Sequence, residues 1–345
     1  MSDTVATESR EAPTARGVIG QALERLGMLG ALIVLGASLF FLGAPKAFQN
    51  LAPWQNVAKS TSTLIVASLA LLIPLIAGHF NLAVGAQIAV AGMVCVSASE
   101  GTQWFEGNPQ PVFLCVILGI LASVVISVVS GYLVAYVGVD SFITTLGIAI
   151  AAEGWYSWYN PTSTSLHSES PLLGLFSNEI PVVRMPPVFL LAIAFAVLSW
   201  VITEFVPLGR KIAAIGSNPS SASLVGIRVP RTVFTAFLSS GLLAGVAGVM
   251  ALANSGNTGA STFPGGGVPF ILPALAAVFL GATTWKAGRF NVPGVVIAIL
   301  LIKLANEAFS QAGYAGWVEK VINGLALVAA VAVSTLLARR RTGSS

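Results

Sequence analysis

Residues 112–137 read VFLCVILGILASVVISVVSGYLVAYV, and this stretch contains no Asp, Glu, Lys or Arg. A helix of about 20 apolar residues is long enough to cross the ~30 Å hydrocarbon core of a bilayer. In the whole chain 55% of the residues are hydrophobic and 9% are charged, whereas a soluble domain usually carries about 25% charged residues. The sequence therefore predicts an all-α, polytopic integral membrane protein.

Other apolar runs, bounded by helix-breaking residues, extend this pattern to about ten transmembrane helices within a membrane domain over residues 28–338. Two of the runs are short, and we expect tilted, broken or re-entrant helices there, in places that other parts of the protein cover. Residues 1–27 read as a cytoplasmic tail whose 17–27 segment has the pattern of an interfacial helix, and residues 339–345 as a basic cytoplasmic tail. The predicted spans are 28–45, 60–77, 84–99 (short), 112–137, 141–159, 188–206, 232–254, 269–284 (short), 292–312 and 317–338.

The distribution of Lys and Arg orients these spans, because cytoplasmic loops of membrane proteins carry an excess of positive charge. Placing both termini in the cytoplasm leaves few cations outside, and 160–187 becomes the main outer loop. The net charge of +4 is then an orientation signal, and no basic surface indicates nucleic acid. The inner cations are Arg10, Arg16, Arg25, Arg210, Lys211, Arg228, Arg231, Lys286, Arg289, Arg339, Arg340 and Arg341, against Lys46, Lys59, Arg184 and Lys320 outside.

The inner loop over residues 207–231 carries four of these cations and is also partly apolar. Its centre predicts a short helix of about two turns: Asn218 is a good N-cap, Pro219 fits the first helical position, and Gly226 fits just past the end. A linker that only connects two spans does not need a capped helix or apolar side chains, so these features indicate a contact with another surface. Small side chains would let another protein surface approach this helix closely, and they are Ser220, Ser221, Ala222 and Ser223.

Ionisable residues inside membrane spans are rare and often functional. Lys303 and Glu307 are four residues apart on the ninth predicted span and can pair on one helix face. Asn306, Ser310 and Gln311 extend a polar stripe on the same side. The stripe is open to two interpretations, a wall of a solute path or a buried ion pair that fixes helix packing.

Several segments together carry a resemblance to a known family. Residues 209–231, GRKIAAIGSNPSSASLVGIRVPR, resemble the cytoplasmic coupling loop of ribose-type ABC permeases, a family that also includes branched-chain amino acid permeases. Four further segments are similar, in family order: GHFNLAVG at 78–85, SFITTLG at 141–147, LSSGLLAGVAG at 238–248 and AAVFLGATT at 276–284. The first of these departs from the family pattern, because Asn81 replaces an acidic residue, His79 a small one and Ala83 a serine.

The resemblance implies the permease subunit of an ATP-driven importer in the bacterial inner membrane, moving a small polar solute, most simply a pentose sugar, by alternating access. It implies three protein partners besides the lipid bilayer: separate cytoplasmic ABC ATPase subunits, an external solute-binding protein, and a second permease copy in a homodimer or heterodimer. Asn81 would belong to the translocation path with the polar stripe. The ATPase-coupling residues would be Asn218, Pro219, Ser220, Ala222, Leu224 and Gly226, with Arg210.

The chain contains no G-x-x-x-x-G-K-[ST] phosphate loop, so we expect a transport subunit and not an enzyme, with ATP hydrolysis on a partner chain. No set of side chains has the spacing of a catalytic or metal site, and we expect no cofactor. Two alternatives stay open. One is an ion-coupled secondary transporter that uses Lys303 and Glu307, and the other is an ABC permease for branched-chain amino acids or other small solutes.

Overall fold

A computed structural model describes residues 51–105, 107–159, 164–166, 170, 185–256, 258, 270–284, 288–311 and 313, with isolated positions at 321, 324 and 328. Ten α-helices lie in this part of the chain. They are α1 (Leu51–Ile76), α2 (Val84–Glu100), α3 (Val112–Tyr132, continued by a π-helical turn at Leu133–Val137), α4 (Ser141–Tyr159), α5 (Pro187–Glu204), α6 (Pro207–Ser217), α7 (Pro219–Leu224), α8 (Val229–Ser255), α9 (Ile271–Thr284) and α10 (Val292–Gln311).

Two long helices, α1 and α8, form the centre of the molecule. In their most apolar stretches 83% and 78% of the residues are buried, compared with 22% in α3 and α5. On one side of this central pair lie α2, α3 and α4, and on the other lie α5, α9 and α10. Helices α3 and α5 therefore turn apolar side chains away from the protein, as a lipid-exposed helix does.

Eight of the ten predicted spans coincide with observed helices. The span at 28–45, the span at 317–338 except for three isolated positions, both tails and most of the 160–187 loop lie outside the described residues. Five of the described helices are long and apolar enough to cross a membrane: α1, α3 with its π-helical turn, α5, α8 and α10. The shorter apolar helices α2 and α9 have 17 and 14 residues, or about 26 and 21 Å at 1.5 Å per residue. The chain is thus an all-α polytopic membrane protein, with short helices where the sequence predicts them.

The helix that contains the second predicted span, 60–77, is described from Leu51, so it extends at least nine residues before residue 60. The helix therefore continues through Lys59, which the sequence had placed in an outer loop.

The inner loop contains a helix, α6, that the sequence analysis did not predict. Pro207 occupies its first turn, and Ile212 and Ile215 are 2% and 0% exposed. Leu208, Ile212 and Ile215 recur at the spacing of one helix face. This periodicity was the available signal, and the adjacent charged residues Arg210 and Lys211, which lie between its first two apolar positions, obscured it.

Candidate functional site

The caps predicted for the short inner helix are confirmed in α7. The Asn218 side-chain oxygen accepts a hydrogen bond from the backbone N–H of Ser221 at 3.0 Å, and Pro219 is the first helical residue. Gly226 has φ +83°, a left-handed conformation that favours glycine. The sequence therefore encodes both ends of this helix locally.

The face that α7 presents differs from the expected one. Ala222 is 3% exposed and packs in a buried cluster with Ile215, Val233 and Phe237, so it anchors α7 and is not open to a partner surface. The approachable side carries the three serines and, next to them, Leu224 and Val225, which are 87% and 76% exposed. Two large apolar side chains this exposed at the edge of a loop are typical of an interaction site.

The C-terminal end of α6 presses directly on the end of α1. A Cβ atom added to Gly216 would overlap the carbonyl oxygen of Ile76, and it would lie 3.0 Å from the Ile76 carbonyl carbon. On the other side, a Cβ on Gly78 would lie 3.6 Å from the Gly216 Cα. We call this contact among Gly216, Ile76 and Gly78 the coupling joint, because it connects α6 and α7 to the non-helical segment that follows α1.

That segment, residues 77–83, is held by hydroxyl groups of α4. The backbone N–H of Phe80 donates to the Ser141 hydroxyl at 3.2 Å, and the N–H of Leu82 donates to the Thr145 hydroxyl at 3.0 Å. Side chains therefore satisfy backbone groups that have no helical partner.

Asn81 lies at the centre of this segment and is fully buried. Its side-chain amide donates to the Ser240 hydroxyl of α8 at 2.9 Å, and its oxygen accepts from the Ala83 N–H at 3.2 Å. Ser240 in turn donates to the Ala70 carbonyl of α1 at 2.6 Å. Asn81 thus ties three elements together, and both of its polar atoms are occupied by the protein itself.

The sequence analysis missed a second buried amide in the same region. Gln87 of α2 is 0% exposed and donates to the Ser127 hydroxyl of α3 at 2.9 Å. Ser123, one turn away on α3, donates to the Gly241 carbonyl of α8 at 2.8 Å. A lone Gln within an apolar run was the available signal, since intramembrane amides commonly hydrogen-bond across helices.

The polar stripe on α10 lies apart from Asn81. Its helix packs on α9, α1 and α5, and its buried face is formed by Ala298, Ile302 and Ala305. The stripe residues are on the other face: Lys303, Asn306 and Glu307 are half-buried, and Ser310 and Gln311 are exposed. Glu307 accepts a hydrogen bond from Gln311 at 2.8 Å. Within this one chain the structure does not bring the two predicted parts of the path together.

A cavity of about 790 Å³ opens beside the coupling joint. Arg210 of α6 and Arg289, in the loop before α10, both line it. The Arg210 guanidinium also donates to the Phe205 carbonyl at 3.1 Å, so part of its hydrogen-bonding capacity is used to finish α5. The predicted coupling residue Arg210 is therefore placed between α5 and this cavity.

One titratable group lies in the 77–83 segment, outside the helices. Burial lowers the pKa of His79 below its usual value, and the nearby Asp140 carboxylate opposes this shift in part. The His79 ring stands 6.4 Å from that of Phe237, centroid to centroid. The neutral imidazole is thus the form that this environment favours.

At residues 54–331 the chain matches the family model described as branched-chain amino acid transport system / permease component, and it belongs to that family. It is therefore a multi-pass membrane transport subunit and not an enzyme, and its relatives place it with the ABC permeases. The ribose import permease protein of Haemophilus influenzae is 25% identical over 95% of this chain and 98% of its own length.

Of two further relatives, one is named without a substrate and the other is named for D-allose. A probable ABC transporter permease protein of Sinorhizobium fredii, y4mJ, is 25% identical over 99% of both chains. The D-allose transport system permease protein of Escherichia coli is 27% identical over 83% of both. No solved structure matches the chain significantly.

Proposed function

We propose that this chain is the permease subunit of an ATP-driven importer for a sugar. The relatives named for ribose, D-allose and galactose support a sugar over a branched-chain amino acid. The family supports an ABC importer over an ion-coupled transporter, and Glu307, whose hydrogen-bond partner is Gln311, gives the ion-coupled alternative no distinct support. An external solute-binding protein delivers the sugar.

The observation that carries this proposal is the exposed apolar end of α7, connected through α6 to the coupling joint. Leu224 and Val225 dock in a groove of a separate ATPase on the cytoplasmic side, and both termini of the chain lie on that side. When the ATPase moves, α6 transmits the displacement through Gly216 to the 77–83 segment. Asn81 then acts as a positioning residue for that segment, since its amide is already occupied by Ser240 and Ala83.

Leu224→Asp tests the docking step. The substitution removes the apolar side chain that we propose contacts the ATPase, and the new carboxylate would lose its hydration in the interface. We therefore expect the amount of ATPase that co-purifies to fall at least tenfold. Leu224→Met, which keeps an apolar side chain of similar volume, is the matched control and should retain it. If Leu224→Asp retains the ATPase at the wild-type level in a correctly folded protein, the docking role is wrong.

A second copy of the chain meets the first through α4. This helix has 19 residues but is not among the described helices apolar enough to be candidate spans. Its outer face combines the exposed Ile143 and Ile150 with Gly147 and Gly154, where an added Cβ would meet nothing within 4 Å. Small residues on such a face allow two helix backbones to approach closely, whereas a face that only contacts lipid chains has no need of small residues.

A further inference from the structure

We propose that the cavity beside the coupling joint binds the headgroup and upper acyl chain of an anionic phospholipid from the cytoplasmic leaflet. This inference rests on the orientation in the proposed function, which places α6 and α7 on the cytoplasmic side. It is independent of the sugar and of the ATPase.

The charge of the cavity selects an anion. Arg210 and Arg289 line it, and the described lining contains no Asp or Glu. Guanidinium groups bind phosphate with paired, directional hydrogen bonds. Basic pockets between transmembrane helices on the cytoplasmic side are a known mode of recognition for anionic lipid headgroups.

Both arginines are held in place by the fold. Arg210 is tied to the end of α5 by its bond to the Phe205 carbonyl. The backbone carbonyl of Arg289 accepts a 2.9 Å hydrogen bond from Asn291, which is 4% exposed. The oxygen of Asn291 also accepts from the Gly294 N–H at 2.8 Å and so caps α10. The Arg210 side chain is therefore held against the end of α5, and the Arg289 backbone is held at the start of α10.

The rest of the cavity is apolar, which separates a lipid from a free anion. Leu75 and Ile76 at the end of α1 contribute to one wall, and Phe279 and Phe290 contribute to another. The two aromatic rings pack edge to face with centroids 5.6 Å apart. An inorganic phosphate would gain nothing from these walls, whereas an acyl chain would bury its first methylenes against them.

The position of the cavity gives the lipid a consequence. Gly78 and Gly216 line the cavity and also form the coupling joint. A lipid in this site contacts α1, α6 and α9 at once, so it holds α6 against α1. We therefore expect anionic lipid to stabilise the isolated permease and to tighten the joint.

The experiment uses the purified full-length chain in detergent, without ATPase or sugar. Mixed micelles containing phosphatidylglycerol or phosphatidylcholine are titrated, and the thermal unfolding midpoint and the lipids retained in native mass spectra are measured. We expect phosphatidylglycerol to raise the midpoint and to be retained, and phosphatidylcholine to do neither. Arg210→Gln and Arg289→Gln should each weaken the phosphatidylglycerol effect about fivefold, the contribution of one cation near an anionic lipid.

Two further variants keep the test decisive. Arg231→Gln changes an exposed arginine at the start of α8 that does not line the cavity, and it should behave as the wild type. Ala213→Trp fills the cavity from an exposed lining position, and it should abolish lipid retention with both arginines intact.

Equal effects of the two lipids, or an unchanged phosphatidylglycerol effect in Ala213→Trp, would overturn the proposal. Competition by inorganic phosphate alone would overturn it in favour of a simple anion site. If Arg210→Gln and Arg289→Gln both leave the preference for phosphatidylglycerol intact, the lipid site is wrong. Because the assay contains neither sugar nor ATPase, its failure leaves the proposed transport function untouched.

Discussion

The substitution Gly216→Ala tests the coupling joint directly. The added Cβ would lie 3.0 Å from the Ile76 carbonyl carbon and 3.2 Å from the Ala77 carbonyl carbon, with the Ile76 oxygen closer still. Ordinary contacts between carbon atoms are about 3.5–4.0 Å. The carbonyl carbon alone therefore requires the end of α6 to move away from α1 by about 0.5 Å, and the overlapping Ile76 oxygen requires a larger movement.

Two effects of this substitution oppose each other. Alanine favours a helix over glycine by roughly 0.5–1 kcal/mol, while overpacking a close contact costs about 1–3 kcal/mol. Since α6 lies at the protein surface, we expect it to shift outward and the net loss of stability to stay near 1 kcal/mol. We expect the larger effect on coupling, because the substitution opens the contact that we propose transmits the ATPase movement.

The assay is sugar uptake and ATP hydrolysis by the reconstituted importer, measured in the same proteoliposomes. We expect Gly216→Ala to lower uptake about tenfold while ATP hydrolysis persists, so that more ATP is used per sugar. Gly248→Ala is the matched control, because its Cβ would likewise overlap a backbone carbonyl oxygen, that of Ile88, and would lie 3.1 Å from the Ile88 carbonyl carbon; this contact joins α8 to α2 and is not part of the joint. Wild-type ATP-to-sugar stoichiometry in Gly216→Ala would refute the role of the joint, and the same uncoupling in Gly248→Ala would reduce it to a general packing defect.

Three other changes have definite outcomes. The folded-state pKa of His79 is lowered, so the unfolded chain binds the proton more tightly and the stability of the fold must decrease as the pH drops below about 6.5. The substitution His79→Gln should therefore reduce the loss of thermal stability between pH 7.5 and 5, and an unchanged loss would show that other groups cause it. Asn81→Ala and Ser240→Ala each remove a buried hydrogen bond, and a double-mutant cycle of unfolding free energies should give a coupling of about 1 kcal/mol, whereas strictly additive losses would contradict the contact. For the α4 interface, Ile150→Cys should form a disulfide-linked dimer in membranes, while the equally exposed Val125→Cys on α3 should not, and the reverse result would move the interface to α3.

The sequence predicted the parts of this molecule that depend on short stretches of chain. Apolar length alone gave the spans, since the bilayer acts uniformly on any run of about 20 residues. The caps of α7 were predictable for the same reason, because Asn218 bonds a backbone group only three residues away. The missed helix α6 was also local, and the charged residues between its apolar positions concealed it.

The direction in which side chains face could not be predicted in the same way. Ala222 and Leu224 are two residues apart in one short helix, yet one is 3% and the other 87% exposed. The difference depends on Phe237 and Val233 of α8, which cover Ala222 and leave Leu224 open. Nothing within α7 itself encodes the position of that neighbouring helix.

By itself the sequence determined that this protein is a bundle of membrane helices with a capped inner helix. Only the tertiary structure decided that Gly216 meets Ile76, that Asn81 bonds Ser240, and that Arg210 and Arg289 share one cavity. The two arginines are 79 residues apart in the chain, and Asn81 and Ser240 are 159 residues apart. No helical periodicity and no capping pattern connects residues so distant in sequence. The physical reason is that a lipid-facing helix needs only to be apolar, whereas a coupling contact needs one particular neighbour, which the packing of the whole chain supplies.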